Sequence, residues 1–198
     1  MRVTVFDYGA GNLHSLVKAL EGPARTIHVE SDPVAVVKTD VLVLPGVGAF
    51  ASAAARLAPG LTSMRDALNA GLPCIGICLG MQLLFDQSAE GPGFGLGIIA
   101  GGVRRLSAGR VPQIGWNSIE ASTDPLLGPQ ALHTAYYANS YVCAPEDPGS
   151  VVAWTTHERD RFPAAVRTHR VLGVQFHPEK SSAPGIRMLH DFLEATRA

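Results

Sequence analysis

The chain has 198 residues, enough for a single domain with a sizeable core, and we expect one domain spanning residues 1–198. With 46% hydrophobic and 17% charged residues, its composition favours a packed protein over a disordered one. The 16 basic and 17 acidic residues give a formal net charge of −1 without any basic run, which argues against a nucleic acid or a polybasic membrane partner and favours a small-molecule substrate.

The first half of the chain alternates extended and helical patterns. Extended apolar runs lie at 3–8, 26–29, 41–44 and 74–77, and helical patterns at 12–20, 49–70 (with a break at 59–60) and 81–85. Strands that alternate with helices imply parallel strands joined by crossover connections. We therefore predict an α/β fold with an open, doubly wound, mostly parallel sheet and helices on both faces.

The second half of the chain has a different pattern after Gly91. Short runs rich in Val, Ile, Tyr and Thr, separated by turn residues, predict an added antiparallel portion at 103–106, 114–119, 135–142 and 151–155. A buried strand returns at 171–176. A closing helix is predicted at 185–196, with an apolar face formed by Ile186, Leu189 and Leu193.

The sequence contains no pattern typical of a membrane protein or a secreted one. The charge-free stretches at 41–55 and 91–103 are shorter than the ~20 residues of a membrane helix and contain Gly or Pro. The N-terminal residues lack the apolar stretch and cleavage site of a secretory signal. We expect a cytoplasmic protein, in which the three cysteines are catalytic or buried rather than disulfide-bonded. No second ligand cluster accompanies them, so neither a metal nor a cofactor is expected.

A cysteine flanked by glycines is the strongest local signal. Cys78 lies between Gly76 and Gly80, directly after a predicted buried strand and before a helix. This is the pattern of a nucleophile elbow, in which glycines permit a sharp turn that lifts the side chain out of the sheet. The start of a helix also favours the thiolate form of a cysteine. Without further residues the pattern also fits a structural cysteine buried near a turn.

A histidine and a glutamate follow the last buried strand. Alternate residues of an extended chain face the same side, so Glu179 can reach the imidazole of His177. Pro178 keeps His177 out of the helical region. A thiolate nucleophile needs a base that later acts as an acid, and that base needs a group to orient it. Cys78, His177 and Glu179 supply these parts.

A third segment, at 45–48, follows a central strand with the sequence Pro-Gly-Val-Gly. Glycines let backbone N–H groups approach a substrate, which suits a donor of an oxyanion hole, although a plain turn has the same pattern. Open α/β sheets bind ligands beyond the carboxyl ends of their strands. The segments after the strands at 41–44, 74–77 and 171–176 are therefore expected to meet at one site.

Six motifs together carry a family resemblance, at 7–12 (DYGAGN), 44–50 (LPGVGAF), 76–82 (GICLGMQ), 112–117 (PQIGWN), 136–142 (YYANSYV) and 173–181 (GVQFHPEKS). On these motifs the chain resembles the class I (triad) glutamine amidotransferases over nearly its whole length. Within them it is most similar to the glutaminase subunits of imidazole glycerol phosphate synthase, which act in histidine biosynthesis.

The resemblance implies a hydrolytic mechanism without a metal or a cofactor. Cys78 attacks the side-chain amide of glutamine, and His177, oriented by Glu179, protonates the departing ammonia. The same family likeness implies oxyanion donors at Val47, Gly48 and Leu79, and glutamine contacts at Gln82, Ser140 and Tyr141.

The resemblance also implies a protein partner, the cyclase subunit of the synthase, which receives the ammonia in a heterodimer. The residues expected to face that partner are Asn12, Trp116, Tyr137 and Lys180. Two other functions fit the residues: a glutaminase that serves another pathway, and an inactive regulatory module that binds without catalysis. A complete triad argues against the inactive module.

Overall fold

The structure, a computed structural model, describes residues 1–9, 13–128 and 131–197. Within these residues, its strands are β1 (Arg2–Phe6), β2 (Thr26–Glu30), β3 (Val41–Leu44), β4 (Cys74–Ile77), β5 (Gln87–Ser88), β6 (Gly101–Arg105), β7 (Gln113–Ser118), β8 (Thr134–Asn139), β9 (Tyr141–Pro145), β10 (Val151–His157), β11 (Asp160–Thr168) and β12 (Val171–Val174). Its α-helices are α1 (His14–Leu20), α2 (Phe50–Leu57), α3 (Leu61–Asn69), α4 (Leu79–Gln82) and α5 (Ser182–Ala195).

A seven-stranded sheet in the order β10-β11-β12-β4-β3-β1-β2 forms the centre of the fold. The five strands from β12 to β2 are parallel, and β11 and β10 extend the sheet with antiparallel pairing. The inner strands β3, β4 and β12 are buried along their whole length, which explains their uninterrupted apolar sequences. The predicted mostly parallel sheet with an antiparallel addition is confirmed.

Helices cover both faces of this sheet. Alternate side chains of the parallel strands pack on one face against α1 and α5, and on the other face against α2 and α3. The break predicted at 59–60 is present as a 3₁₀ turn at Ala58–Gly60 between α2 and α3. The doubly wound arrangement is thus confirmed. None of the helices in the described ranges is long and apolar enough to cross a membrane.

The antiparallel portion differs from the prediction in two places. The run at 135–142 was expected to be continuous, but it forms β8 and β9, which separate at Ser140 and join different sheets, β7-β8 and β5-β6-β9. The strand β11 was not predicted, because Pro163 lies within it. This proline is tolerated beside an irregularity in the pairing of β10 with β11, where it faces Trp154.

The C-terminal helix buries Leu189 and Leu193 of the predicted apolar face but not Ile186. The predicted face included Ile186, but this side chain is 37% exposed, so that part of the prediction is wrong. The helix begins at Ser182, three residues earlier than predicted, and its buried residues are Gly185, Met188, Leu189, Phe192 and Leu193. At about 100° per residue, the buried residues span an arc of about 140° around the helix, and Ile186 lies just beyond the edge of that arc.

Candidate active site

Cys78 occupies a strained turn between β4 and α4. Its backbone has φ +47° and ψ −102°, a region that L side chains rarely adopt. The flanking glycines permit this turn because a Cβ on Gly76 would lie 2.6 Å from the carbonyl oxygen of Gly80, and one on Gly80 would lie 2.0 Å from that of Leu44. The helix follows Cys78 directly and ends at Gln82, whereas the sequence pattern predicted helix at 81–85. The expected nucleophile elbow is present.

His177 and Glu179 extend from the end of β12, the strand next to β4. Nδ1 of His177 lies 2.8 Å from Oε1 of Glu179, and both side chains are more than nine-tenths buried. Burial alone lowers the pKa of His177, but its interactions with Cys78 and Glu179 outweigh burial and raise the pKa to about 10. The imidazole is therefore protonated near neutral pH and lies between two acidic partners.

Gly46 packs against both His177 and Cys78. A Cβ on this residue would lie 2.9 Å from Cε1 of His177, 3.0 Å from Cβ of Cys78 and 3.0 Å from the carbonyl oxygen of Ile77. The segment after β3 therefore meets the segments after β4 and β12, as expected from the topology. The sequence indicated a glycine for backbone approach here, but not this contact with the two reactive side chains.

A buried serine, which the sequence analysis did not single out, fixes the backbone of His177. Oγ of Ser181 donates to the carbonyl oxygen of His177 at 2.6 Å and accepts from the backbone N–H of Tyr136 at 2.9 Å. The N–H of His177 in turn donates to the carbonyl oxygen of Tyr136 at 2.8 Å. These bonds tie β8 to the histidine segment. No short-range pattern reveals this role, because Tyr136 and Ser181 are far apart in the chain.

The expected oxyanion donors lie on two sides of Cys78. Leu79 is the first residue of α4, and the N–H groups of a helix's first turn have no acceptor within the helix. Val47 and Gly48 follow Gly46, and Gly48 has φ +105°, which favours glycine. Leu79 follows Cys78 directly, and the residue before Val47, Gly46, packs against Cys78.

The expected glutamine contacts lie beside the elbow. Gln82 is buried, and its Nε2 donates to the carbonyl oxygen of Tyr141 at 3.3 Å. Ser140 lies between β8 and β9 with a half-buried side chain. The carbonyl oxygen of Ala138, at the end of β8, lies 4.0 Å from Sγ of Cys78. The α4 helix and the β8–β9 connection therefore flank the cysteine sulfur together.

The residues expected at a partner interface differ in exposure, as far as the structure describes them. Trp116 is 55% exposed, and Lys180 is exposed next to Glu179. Tyr137 is fully buried against Phe176, with ring centroids 5.8 Å apart, so the prediction that it faces a partner is wrong. Strand alternation instead turns the half-buried Tyr136 toward Trp116, and the centroids of these two rings lie 6.3 Å apart. The remaining residue of the prediction, Asn12, lies outside the described residues.

A cavity of about 300 Å³ is bordered both by the candidate oxyanion segment and by Lys180. Its lining includes Glu179 and Lys180 on one side and the segment at 45–47 on the other, and its remaining walls are Leu13, Ser15 and Leu16. The candidate oxyanion segment and the exposed Lys180 therefore border the same space.

Comparisons with known proteins identify the family of the chain. The family model "Glutamine amidotransferase class-I" matches residues 4–196. The imidazole glycerol phosphate synthase subunit HisH of Halobacterium salinarum is 42% identical over 202 residues, covering 97% of this chain and 92% of the relative. HisH of Symbiobacterium thermophilum is 46% identical, with coverages of 95% and 91%. A crystal structure of a glutamine amidotransferase has the same fold, with a TM-score of 0.75, 20% identity and 99% coverage of both chains.

Proposed function

Because the chain belongs to the class-I glutamine amidotransferase family and, within it, to the HisH subunits of imidazole glycerol phosphate synthase, we propose that it is the glutaminase subunit of such a synthase in histidine biosynthesis. The observation that carries this proposal is the contact of Cys78, His177 and Glu179 at the carboxyl edge of the parallel sheet. A nucleophile, an acid–base group and an orienting carboxylate are the parts that covalent amide hydrolysis needs.

The first half-reaction forms a thioester. The Cys78 thiolate attacks the side-chain carbonyl carbon of glutamine, and the carbonyl electron pair moves to oxygen. His177 is protonated at neutral pH because its pKa is raised, so it can donate a proton to the amide nitrogen as the C–N bond breaks. Ammonia leaves, and the glutamyl group remains on Sγ.

The second half-reaction regenerates the cysteine. The neutral imidazole of His177 takes a proton from water, and the resulting hydroxide attacks the thioester carbon. The C–S bond breaks, glutamate leaves and the electron pair returns to sulfur. Glu179 keeps the imidazole in one orientation through both steps by its 2.8 Å bond to Nδ1.

We assign the oxyanion donors to the backbone N–H of Leu79 and to the Val47–Gly48 segment. Each donor of this kind is worth ~10²–10³ in rate, because it meets the charge that develops on the carbonyl oxygen. Bound glutamine is assigned to Gln82, Ser140 and Tyr141. The bond from Gln82 to the Tyr141 carbonyl supports this assignment, because it holds the two walls of the site together.

The ammonia is passed to a cyclase subunit in a heterodimer in the cytoplasm rather than released, and no metal or cofactor takes part in its formation. The partner binds the surface that contains Trp116 and Lys180, with Asn12 as a further candidate. The exposure of the Trp116 ring supports this assignment, because a large aromatic side chain on a surface is typical of an anchor for another protein.

The partner also switches the glutaminase on by turning the peptide at Val47 into its donating orientation. The glycines on both sides of Val47 allow such a rotation. The shared cavity offers a route for the signal, because Lys180 borders the same space as the segment at 45–47. Hydrolysis without an acceptor would waste glutamine, so a subunit that exports ammonia gains from this coupling.

Glutamate release tests the proposal. We expect slow release from the purified chain, and a rise of ~10²–10³ when the cyclase and its nucleotide substrate are both present. Cys78→Ala is the control for contaminating activity. Full activity in the chain alone would reject the switch, and no glutamate release under any condition would reject the glutaminase.

A further inference from the structure

A buried glutamine touches the cysteine sulfur. Gln175 is fully buried, and its Nε2 lies 3.6 Å from Sγ of Cys78. The residue follows β12, where the carbonyl oxygen of Val174 accepts the backbone N–H of Cys78 at 2.7 Å. Gln175 and His177 both interact with Cys78, whereas Phe176 between them packs against Tyr137. One strand end therefore brings two polar side chains to the same sulfur.

The position and orientation of the Gln175 amide suit a thiolate. Its backbone N–H donates to the carbonyl oxygen of Ala164 on β11 at 2.9 Å, which fixes the residue between two strands. Turning the amide around would place Oε1 against the sulfur and repel a negative charge. As oriented, Oε1 is buried without a hydrogen-bond partner among the described residues. A buried carbonyl left unpaired is costly, and such groups mark functional constraints.

We propose that Gln175 is a catalytic residue of the glutaminase reaction, with Nε2 donating a hydrogen bond to the Cys78 thiolate. This proposal rests on the proposed function. The bond stabilises the thiolate before it attacks, and again when the C–S bond of the thioester breaks and the electron pair returns to sulfur. An amide does not titrate near neutral pH, so this stabilisation does not compete with the proton transfers of His177.

Few titratable groups surround the sulfur among the described residues. His177 interacts with Cys78 directly, and Glu179 acts through His177. Cys143 on β9 also interacts electrostatically with Cys78, but burial raises the pKa of its thiol well above the usual range, so it carries no charge near neutral pH. Loss of Gln175 would therefore leave His177 as the main group that stabilises the thiolate.

Alkylation of Cys78 by iodoacetamide tests the proposal without glutamine or a partner, since only the thiolate reacts. The rate is measured against pH on the full chain, with the modified cysteine identified by peptide mass spectrometry. The variants are Gln175→Met, which keeps the side-chain length without the amide, and Gln175→Glu, which places a carboxylate against the sulfur. Gln113→Met is the matched control, because Gln113 is also a buried glutamine with an unpaired Oε1.

We expect the acid-side midpoint of alkylation to rise by about one to two pH units in Gln175→Met, which is a ten- to hundred-fold loss of thiolate below the midpoint. Gln175→Glu should raise the midpoint at least as far, and Gln113→Met should not move it. An unchanged midpoint in Gln175→Met, or an equal rise in Gln113→Met, overturns the proposal. If the methionine variant does not fold, Gln175→Asn, whose amide is too short to reach the sulfur, provides the same comparison. Absence of glutaminase activity in the wild type would reject the proposed function but leave this result intact.

Discussion

The substitution Gly46→Ala adds one methyl group where three parts of the site meet. The new Cβ would lie 2.9 Å from Cε1 of His177 and 3.0 Å from both Cβ of Cys78 and the carbonyl oxygen of Ile77. Carbon atoms prefer separations of about 3.5–4.0 Å and carbon–oxygen contacts are slightly shorter, so the neighbours must move by a few tenths of an ångström. Two of these neighbours carry the reacting side chains, and the third is backbone.

The magnitude follows from two opposing effects. Overpacking a well-packed interior costs about 1–3 kcal/mol, and replacing glycine by alanine recovers about 0.4–1 kcal/mol by restricting the unfolded chain. We expect a net loss of about 1–2 kcal/mol in the free energy of unfolding, and a fall in Tm of about 2–8 °C for a domain of this size. Activity should fall as well, by less than the roughly 10²-fold that misplacing reactive groups by about 1 Å costs.

The assay compares three measurements on Gly46→Ala: Tm by circular dichroism, iodoacetamide alkylation of Cys78, and glutamate release with the cyclase present. Gly102→Ala is the matched control, because a Cβ there meets the carbonyl oxygen and the Cγ of Gln87 at 3.4 and 3.8 Å, which are ordinary contact distances. The control should keep the wild-type activity and Tm. Wild-type activity and Tm in Gly46→Ala would refute the argument that space at this position is limiting.

Four further outcomes are expected. A diazo-ketone norleucine should add one label, at Cys78, and labelling of either other cysteine, or turnover by Cys78→Ala, would contradict the assignment of the nucleophile. His177→Ala should lose ~10²–10⁴ in glutamate release and Glu179→Gln less, because the first removes the proton shuttle and the second only its orientation. Since Glu179 helps to raise the pKa of His177 to about 10, the imidazolium that protonates the departing ammonia is lost as the pH rises through that value, and Glu179→Gln should move the alkaline limb of glutamate release to lower pH. An unmoved limb would argue against this pairing. Ser181→Ala removes the acceptor of the Tyr136 backbone N–H and one of the two donors to the carbonyl oxygen of His177, which keeps its bond from the N–H of Lys180, so its Tm should fall by a few degrees. Ser150→Ala, which removes a more exposed hydroxyl, should change Tm little. Equal Tm values for the two variants would count against the bridging role of Ser181.

Much of the fold could be predicted from local sequence. The uninterrupted apolar runs of β3, β4 and β12 indicate strands buried on both faces, and their alternation with helices indicates parallel pairing. The glycines beside Cys78 and the short spacing of His177 and Glu179 are local features as well. Each was predictable because its geometry depends on residues close in the chain.

The rest depended on contacts between distant segments. Whether Tyr136 or Tyr137 faces solvent depends on which side of β8 packs against the core, and nothing within that aromatic pair distinguishes the two residues. The polar contacts of Gln175 with Cys78 and of Ser181 with Tyr136 join residues 97 and 45 positions apart. The sequence by itself therefore determined the layered sheet and indicated which side chains to propose as reactive groups. Only the tertiary structure decided which buried polar side chains hold those groups in place, because hydrogen bonds across strands follow the register of the folded sheet and not the order of the chain.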